Sequence, residues 1–211
     1  MKILLLTGAP GVGKSTISYL LGQDERFNLI KSYTDRPERE DDVDHIFMKE
    51  DDLTNILLSK TCAAYTRVDG YRYFTLRSQF RNDKINVYTV DVNGMNDIIK
   101  SFPTADFMSV LITRKNVHID QMRKDRIVEV PPKDQVNFTI DNDEDSPESV
   151  VNVLKFLTLY EDGNFFISSH QRVTSLQERI KDLETWSQRY WDEAQELREQ
   201  LNVYIKETNG S

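Results

Sequence analysis

Residues 2–7 read as a short buried strand, apolar from Ile3 to Leu6, that opens directly into Gly8-Ala9-Pro10-Gly11-Val12-Gly13-Lys14-Ser15, followed by Thr16. This fits the pattern G-x-x-x-x-G-K-[ST], placed after a strand-like run and before a helical one. The glycines let successive backbone N–H groups turn inward around an anion, and the helix start adds partial positive charge. Residues 8 to 16 are therefore expected to cradle the phosphates of ATP. In that arrangement Lys14 bridges the β- and γ-phosphates and the Ser15 hydroxyl meets Mg²⁺. A glycine-rich turn with an incidental lysine is the plainer reading, but it leaves both flanks unexplained. The motif also constrains the fold, because a strand that ends on such a loop and feeds a helix belongs to a parallel α/β sheet.

The rest of the first 160 residues agrees. Strand patterns are expected at 2–7, 29–32, 85–92, 107–113 and 136–140, alternating with helical patterns at 15–22, 51–58, 95–101, 117–126 and from 147 onward. Residues 35–44 read as a polar, charged loop. Segments 63–67 and 71–75 flank Asp69-Gly70 and read as a hairpin, a small β insertion in the α/β order. Ser146-Pro147 suits a helix start, with Val150, Val153, Leu154 and Leu157 expected on one apolar face. Two units follow: a P-loop α/β domain over 1–160 and a C-terminal segment over 161–211. In the second, Val173, Leu176, Ile180, Leu183, Ser187, Tyr190, Ala194, Leu197, Leu201 and Tyr204 recur alternately three and four apart, with no Pro or Gly between 169 and 207. That is a heptad seam. A helix of this length reaches about 55–60 Å and must pack along the N-terminal domain or pair with a second chain; the 3.5-residue period favours pairing, which would make the protein a homo-oligomer.

The net charge of −8 disfavours sequence-independent binding of nucleic acid. A single cysteine, Cys62, excludes an internal disulfide and reads as a small apolar residue. The apolar run at the N-terminus is too short for a signal or a membrane span, so a cytoplasmic protein with no membrane partner is expected. The three histidines, His45, His118 and His170, show no zinc-ligand spacing.

After the P-loop comes Ser32-Tyr33-Thr34-Asp35-Arg36-Pro37-Glu38-Arg39-Glu40, then Asp44-His45-Ile46-Phe47. Two arginines three apart suit a dianionic monophosphate, which each can bind bidentately. The segment resembles the acceptor-phosphate signature of the guanylate kinase family. Gly70 to Thr75 resembles that family's Gly-x-Tyr-Tyr-Gly-[Ser/Thr] stretch, Val90 to Gly94 its Asp-Ile-Asp-x-Gln-Gly strand end, and Ile140 to Asp143 its Val-x-Asn-Asp turn. Together these cover residues 1 to about 158 in the family's order. The resemblance implies a P-loop nucleoside monophosphate kinase fold, using ATP and Mg²⁺. The fold would comprise a central, mostly parallel sheet, a β acceptor-binding insertion, a shortened lid and the added C-terminal helix. It places Ser32, Arg36, Arg39, His45, Tyr73, Thr75 and Asp91 at the acceptor, Asn142 beside adenine, Ser15 and Asp91 near the metal, and Lys14, Arg39 and Arg126 at the transferring phosphoryl group.

The departures from the family pattern bear on specificity. Ala64 stands where the family reads guanine with a glutamate, Thr89 where it has the first strand-end aspartate, and His45 where it has a tyrosine. Arg126 matches the first lid arginine. The second has no counterpart at the family spacing, although Arg123 and Lys133 are available. The expected function is transfer of the ATP γ-phosphate to a (deoxy)nucleoside monophosphate, with GMP or dGMP leading. The alternative is a catalytically weak or inactive scaffold of the same fold, oligomerised by the C-terminal helix.

Overall fold

The computed structural model describes residues 1–39, 42–58, 61–115, 117, 130–143, 146–159 and 166. The helix expected at 117–126, with Arg123, Lys124 and Arg126, lies outside the described residues apart from Val117. So does the 161–211 heptad segment apart from Phe166.

The chain order is β1 (Lys2–Thr7), α1 (Lys14–Gly22), β2 (Phe27–Ile30), β3 (Ser32–Thr34), β4 (His45–Phe47), α2 (Glu50–Leu58), β5 (Cys62–Val68), β6 (Tyr71–Leu76), β7 (Ile85–Thr89), α3 (Val92–Ser101), β8 (Asp106–Thr113), β9 (Phe138–Asp141) and α4 (Pro147–Leu159). Five strands form an all-parallel sheet in the order β2-β7-β1-β8-β9. Its centre, β1, is apolar on both faces because both are covered. Leu4 and Leu6 pack with Ile17 and Leu21 of α1 and Val150, Val151 and Leu154 of α4. Ile3 and Leu5, pointing the other way, pack with Met95 and Ile98 of α3 and with Ala63 and Ala64 of β5.

The second sheet has four strands in the order β4-β3-β6-β5. The segment expected as one strand at 29–32 divides at Lys31. Residues 27–30 pair with β7, while 32–34 pair with β4 and β6, so the chain passes from one sheet to the other there. The short β4 was hidden by the charged residues before it. Its pairing aligns Ser32 with His45 and Thr34 with Phe47. The hairpin forms as expected, with Asp69 at φ 53 and Gly70 at φ 82 supplying the two left-handed residues of a tight turn.

Two helices differ from their expected patterns. α3 begins at Val92 rather than 95, because Asp91 caps it: its side chain accepts from the Gly94 amide. In α4 the buried face is Val150, Val151, Leu154 and Thr158, while Val153 is 44% exposed.

A buried amide fastens the start of the sheet. Asn86, fully buried in β7, accepts from Asn28 Nδ2 (2.9 Å) and the Arg81 amide (2.8 Å). It donates to the carbonyls of Lys2 (3.1 Å) and Arg81 (2.8 Å). All four hydrogen-bonding sites of the amide are used. Asn86→Ala strands several buried partners and is expected to cost about 3 kcal/mol. A urea titration checks this, and a midpoint shift worth less than about 0.5 kcal/mol would show the network to be dispensable.

Candidate functional site

The P-loop leaves β1 at Gly8 (φ 146), turns at Gly11 (φ 80) and enters α1 at Gly13 (φ 97). Two of these glycines are required by space as well as by φ. A Cβ at Gly8 would lie 2.3 Å from the Ile112 carbonyl oxygen of β8, and one at Gly13 would lie 2.7 Å from Asn142 Nδ2. Asn142 in turn donates to the Val12 carbonyl at 2.9 Å, so the turn after β9 braces the loop from beneath. Asn142 is buried, and its Oδ1 has no partner among the described residues. Gly13 occupies the cap position of α1 with no side-chain cap hydrogen bond, and the first turn of the helix begins at the loop cavity. Lys14 folds back over the loop and donates from Nζ to the carbonyls of Gly8 (2.8 Å) and Ala9 (2.7 Å).

A cleft of about 500 Å³ runs from this loop to the second sheet. Gly8, Pro10, Gly11, Gly13, Lys14, Ser15 and Thr16 line one end; Ser32, Arg36, Arg39, His45, Tyr73 and Asp91 line the rest. The structure thus brings most of the expected donor and acceptor residues to one cavity. Ala9, Val12, Asn142 and Thr75 are not among its lining.

On the acceptor side, Arg36 is buried and holds Asp42 bidentately, at 2.9 and 2.8 Å, while its guanidinium lies 5.2 Å over the Phe47 ring. Asp42 also accepts from the Arg39 amide at 2.7 Å. Burial opposes the charge on Asp42. The Arg36 guanidinium and the Arg39 amide outweigh it and hold the carboxyl below the usual carboxylate value. The Nε of Arg36 is buried without a hydrogen-bond partner among the described residues. His45 packs edge-on against Tyr73, with ring centroids 5.6 Å apart. Its Nδ1 lies 2.8 Å from Asp44 Oδ1, and the other Asp44 oxygen accepts from the Ser15 hydroxyl at 2.8 Å. Burial again opposes the Asp44 charge, but the His45 and Ser15 contacts keep the carboxyl low. Asp42, Asp44 and His45 place one ligand atom each within 4.8 Å of one another.

Toward the base end, the Ser32 hydroxyl meets the Tyr88 hydroxyl at 3.1 Å, with Ala64 buried nearby in β5. Thr66 donates to Asp91 Oδ2 at 2.9 Å. The Thr75 hydroxyl instead donates to Gln79 Oε1 at 2.6 Å, and the side chain is fully buried. Thr89 lines the cleft, and its buried hydroxyl has no partner among the described residues. Arg114, just past β8, lines it too. Lys133 is exposed in the turn before β9. Cys62 is half-buried, donates to the Ala64 carbonyl at 3.1 Å, and has its thiol pushed up by burial, so it is not primed as a nucleophile.

Sequence reasoning missed Asp42, Asp44, Thr66, Tyr88 and Arg114. Asp44 was within reach, since it adjoins His45 in the quoted segment. The Thr66–Asp91 and Ser32–Tyr88 pairs join residues 25 and 56 apart, and pairing at that range leaves no local pattern.

No protein-family model matches the chain. A guanylate kinase of Mycoplasma mobile is 26% identical over 185 aligned positions, covering 73% of this chain and 92% of that protein. The crystal structure of guanylate kinase from Anaplasma phagocytophilum is similar in fold, with a TM-score of 0.54 at 15% identity, over 73% of this chain and 84% of that one. Among the described residues, no helix is long and apolar enough to cross a membrane.

Because the Asp42 carboxyl is depressed, the stability it contributes is present above its ordinary value of 3.8 and is lost as pH falls through its lower folded value. Asp42→Asn is therefore expected to destabilise by about 2–4 kcal/mol at pH 7, leaving Arg36 buried without its counter-charge. The gap to wild type should shrink steadily below pH 3.8. Urea titrations of both proteins between pH 7 and pH 2.5 test this, and a gap that is constant with pH contradicts it.

Proposed function

We propose that this chain, which has the fold of a guanylate kinase and is similar in sequence to one, transfers the γ-phosphate of ATP to a nucleoside monophosphate, with GMP and dGMP the leading acceptors. The observation that carries the reading is the single cleft. A P-loop with two sterically obligatory glycines shares this cleft with a buried arginine, whose Nε has no partner among the described residues, and with a second arginine three residues on. A scaffold has no use for Lys14 and Ser15 in that position, and the geometry of the loop is intact.

The loop fits a hard cation: the Ser15 hydroxyl would supply an oxygen ligand, and the Asp44 carboxylate stands behind it in hydrogen-bond contact. Bound Mg²⁺ would neutralise charge on the β- and γ-phosphates. The protein's own groups do the rest. The amides of the loop and of the first turn of α1 orient the triphosphate. Lys14 exchanges the Gly8 and Ala9 carbonyls for phosphate oxygens and meets the charge that develops on the moving phosphoryl group. Arg36 and Arg39 hold the acceptor phosphate, with Tyr73 and His45 beside it. The attacking oxygen is already anionic, so no general base is required. Catalysis is positioning and electrostatics in a cleft that closes against water. Arg126 remains part of the proposal as a lid cation, as does pairing of the 161–211 segment between two chains. A monomeric mass by light scattering would refute that pairing.

Base selection rests on fewer polar groups than a guanine-reading carboxylate would supply. Ala64 offers none, and the Thr75 hydroxyl is held by Gln79, which leaves the hydroxyls of Ser32, Thr66, Tyr88 and Thr89 and the Asp91 carboxylate along the cleft. Discrimination among bases is expected to be correspondingly loose.

A coupled ADP-release assay with ATP·Mg²⁺ against GMP, dGMP, AMP, dAMP, CMP, dCMP, UMP and dTMP tests the reading. Turnover with GMP or dGMP is expected, falling by about 10²–10³-fold in Lys14→Ala. Undiminished activity in that variant would sink the assignment of Lys14. Silence with every acceptor, from protein that binds ATP, would favour the scaffold.

A further inference from the structure

We infer that Asp44 is the positioning residue for the metal of bound nucleotide: it orients the Ser15 hydroxyl so that the serine oxygen, rather than its proton, faces the cation. The inference rests on the kinase reading only in taking ATP as the ligand of the loop.

The argument begins with the capacity of a hydroxyl, which has one proton to donate and two lone pairs to offer. A serine that ligates a cation must aim a lone pair at it and turn its proton elsewhere. Left to rotate, the Ser15 hydroxyl would meet an approaching cation in the right orientation only part of the time. Here its proton is already committed, because Ser15 Oγ donates to Asp44 Oδ2 at 2.8 Å. The Asp44 side chain is only 8% exposed, so this acceptor is not competing with bulk water. A carboxylate behind a metal ligand fixes the ligand's orientation and raises its basicity. A net negative group close to the loop also favours a cation there and opposes a bare polyanion. One residue thus makes the site prefer the metal complex of ATP over free ATP.

The other carboxylates at the cleft are engaged differently. Asp91 accepts from the Gly94 amide at 2.7 Å through Oδ1 and from the Thr66 hydroxyl at 2.9 Å through Oδ2, so it serves as the cap of α3. Asp42 holds Arg36 and the Arg39 amide. Of the three, Asp44 is the one bonded to the P-loop serine. Its position is set by the backbone: the Asp44 carbonyl accepts from the Ser32 amide at 3.1 Å, at the start of the β3–β4 pairing. Its second oxygen lies 2.8 Å from His45 Nδ1. The carboxylate therefore stands between the nucleotide loop and the acceptor pocket and touches both.

The test compares ATP binding with and without metal, by calorimetry on the full chain, in wild type, Asp44→Asn and Asp44→Glu. Wild type is expected to bind ATP more tightly with Mg²⁺ than in EDTA. In Asp44→Asn, affinity for ATP with Mg²⁺ should fall about 10–100-fold, while affinity in EDTA should hold or rise because a negative charge has gone. Asp44→Glu keeps the charge and should recover part of the metal-dependent gain. It also stands as the deciding variant if the asparagine form does not fold, and it should then lose a part of that gain and none of the metal-free affinity. Equal weakening in both conditions would mean a structural role and would overturn the inference. So would an unchanged preference for the metal complex, or a loss of that preference in Asp91→Asn instead. None of these measurements requires turnover. A wild-type protein that shows the metal preference but phosphorylates no acceptor would count against the kinase reading and leave this one standing.

Discussion

The tight contact of the P-loop with the sheet beneath it governs the rest of the structure. Gly8 sits so close to the Ile112 carbonyl, and Gly13 to the Asn142 amide, that neither position has room for a Cβ. The loop is thereby pressed onto the ends of β8 and β9, and Asn142 locks it through the Val12 carbonyl. Strand order follows from this need. β8 must lie beside β1 to present Ile112, and β9 beside β8 to present Asn142, which is the order observed. The apolar faces of β1 then require cover on both sides, which α1 and α4 supply on one face and α3 with β5 on the other.

The second sheet answers a different demand. It carries an anion-binding arginine into a buried place without leaving that charge unpaired. Arg36 is held by Asp42 in the geometry a phosphate would use, two oxygens against two guanidinium nitrogens, with Phe47 beneath. A buried arginine without a partner would cost several kcal/mol, so the internal carboxylate stabilises this part of the fold. Lys14 follows the same principle, resting on two loop carbonyls.

How much of this was legible in the sequence depended on the range over which each feature is encoded. The P-loop, the Asp69-Gly70 turn and the Pro147 helix start are local patterns and appear where expected. The two-faced β1 is likewise readable from an unbroken apolar run. The division at Lys31 was not legible, because one run of four residues looks the same whether it serves one sheet or two. Asp91 was read for its chemistry, and its capping of α3 was overlooked although Asp before a helix is a familiar cap. The Thr75 hydroxyl was assigned to a ligand from its place in a motif. Gln79, four residues on, takes its proton instead, and only the fold of the turn after β6 decides between the two. The α4 face differed because Val153 and Val151 compete for one stripe, and the choice between them depends on what α4 packs against.

The same long-range pairings bear on what the cleft can distinguish. On the proposed reading, phosphate recognition is carried by charge and by backbone amides, and it is indifferent to the base. Base recognition needs buried donors and acceptors facing the ring edge. This chain has removed one such group at Ala64 and turned another away at Thr75, while adding the Ser32–Tyr88 hydroxyl pair. A hydroxyl pair shares one proton internally and can present the other either way round, so it accommodates a carbonyl or an amino edge with little difference in energy. A site built around carboxylates cannot adapt in that way. On the proposed reading, the phosphate-binding loop rests on the parallel sheet, while the residues toward the base are drawn from both sheets, Ser32 and Ala64 from the second and Tyr88 from β7.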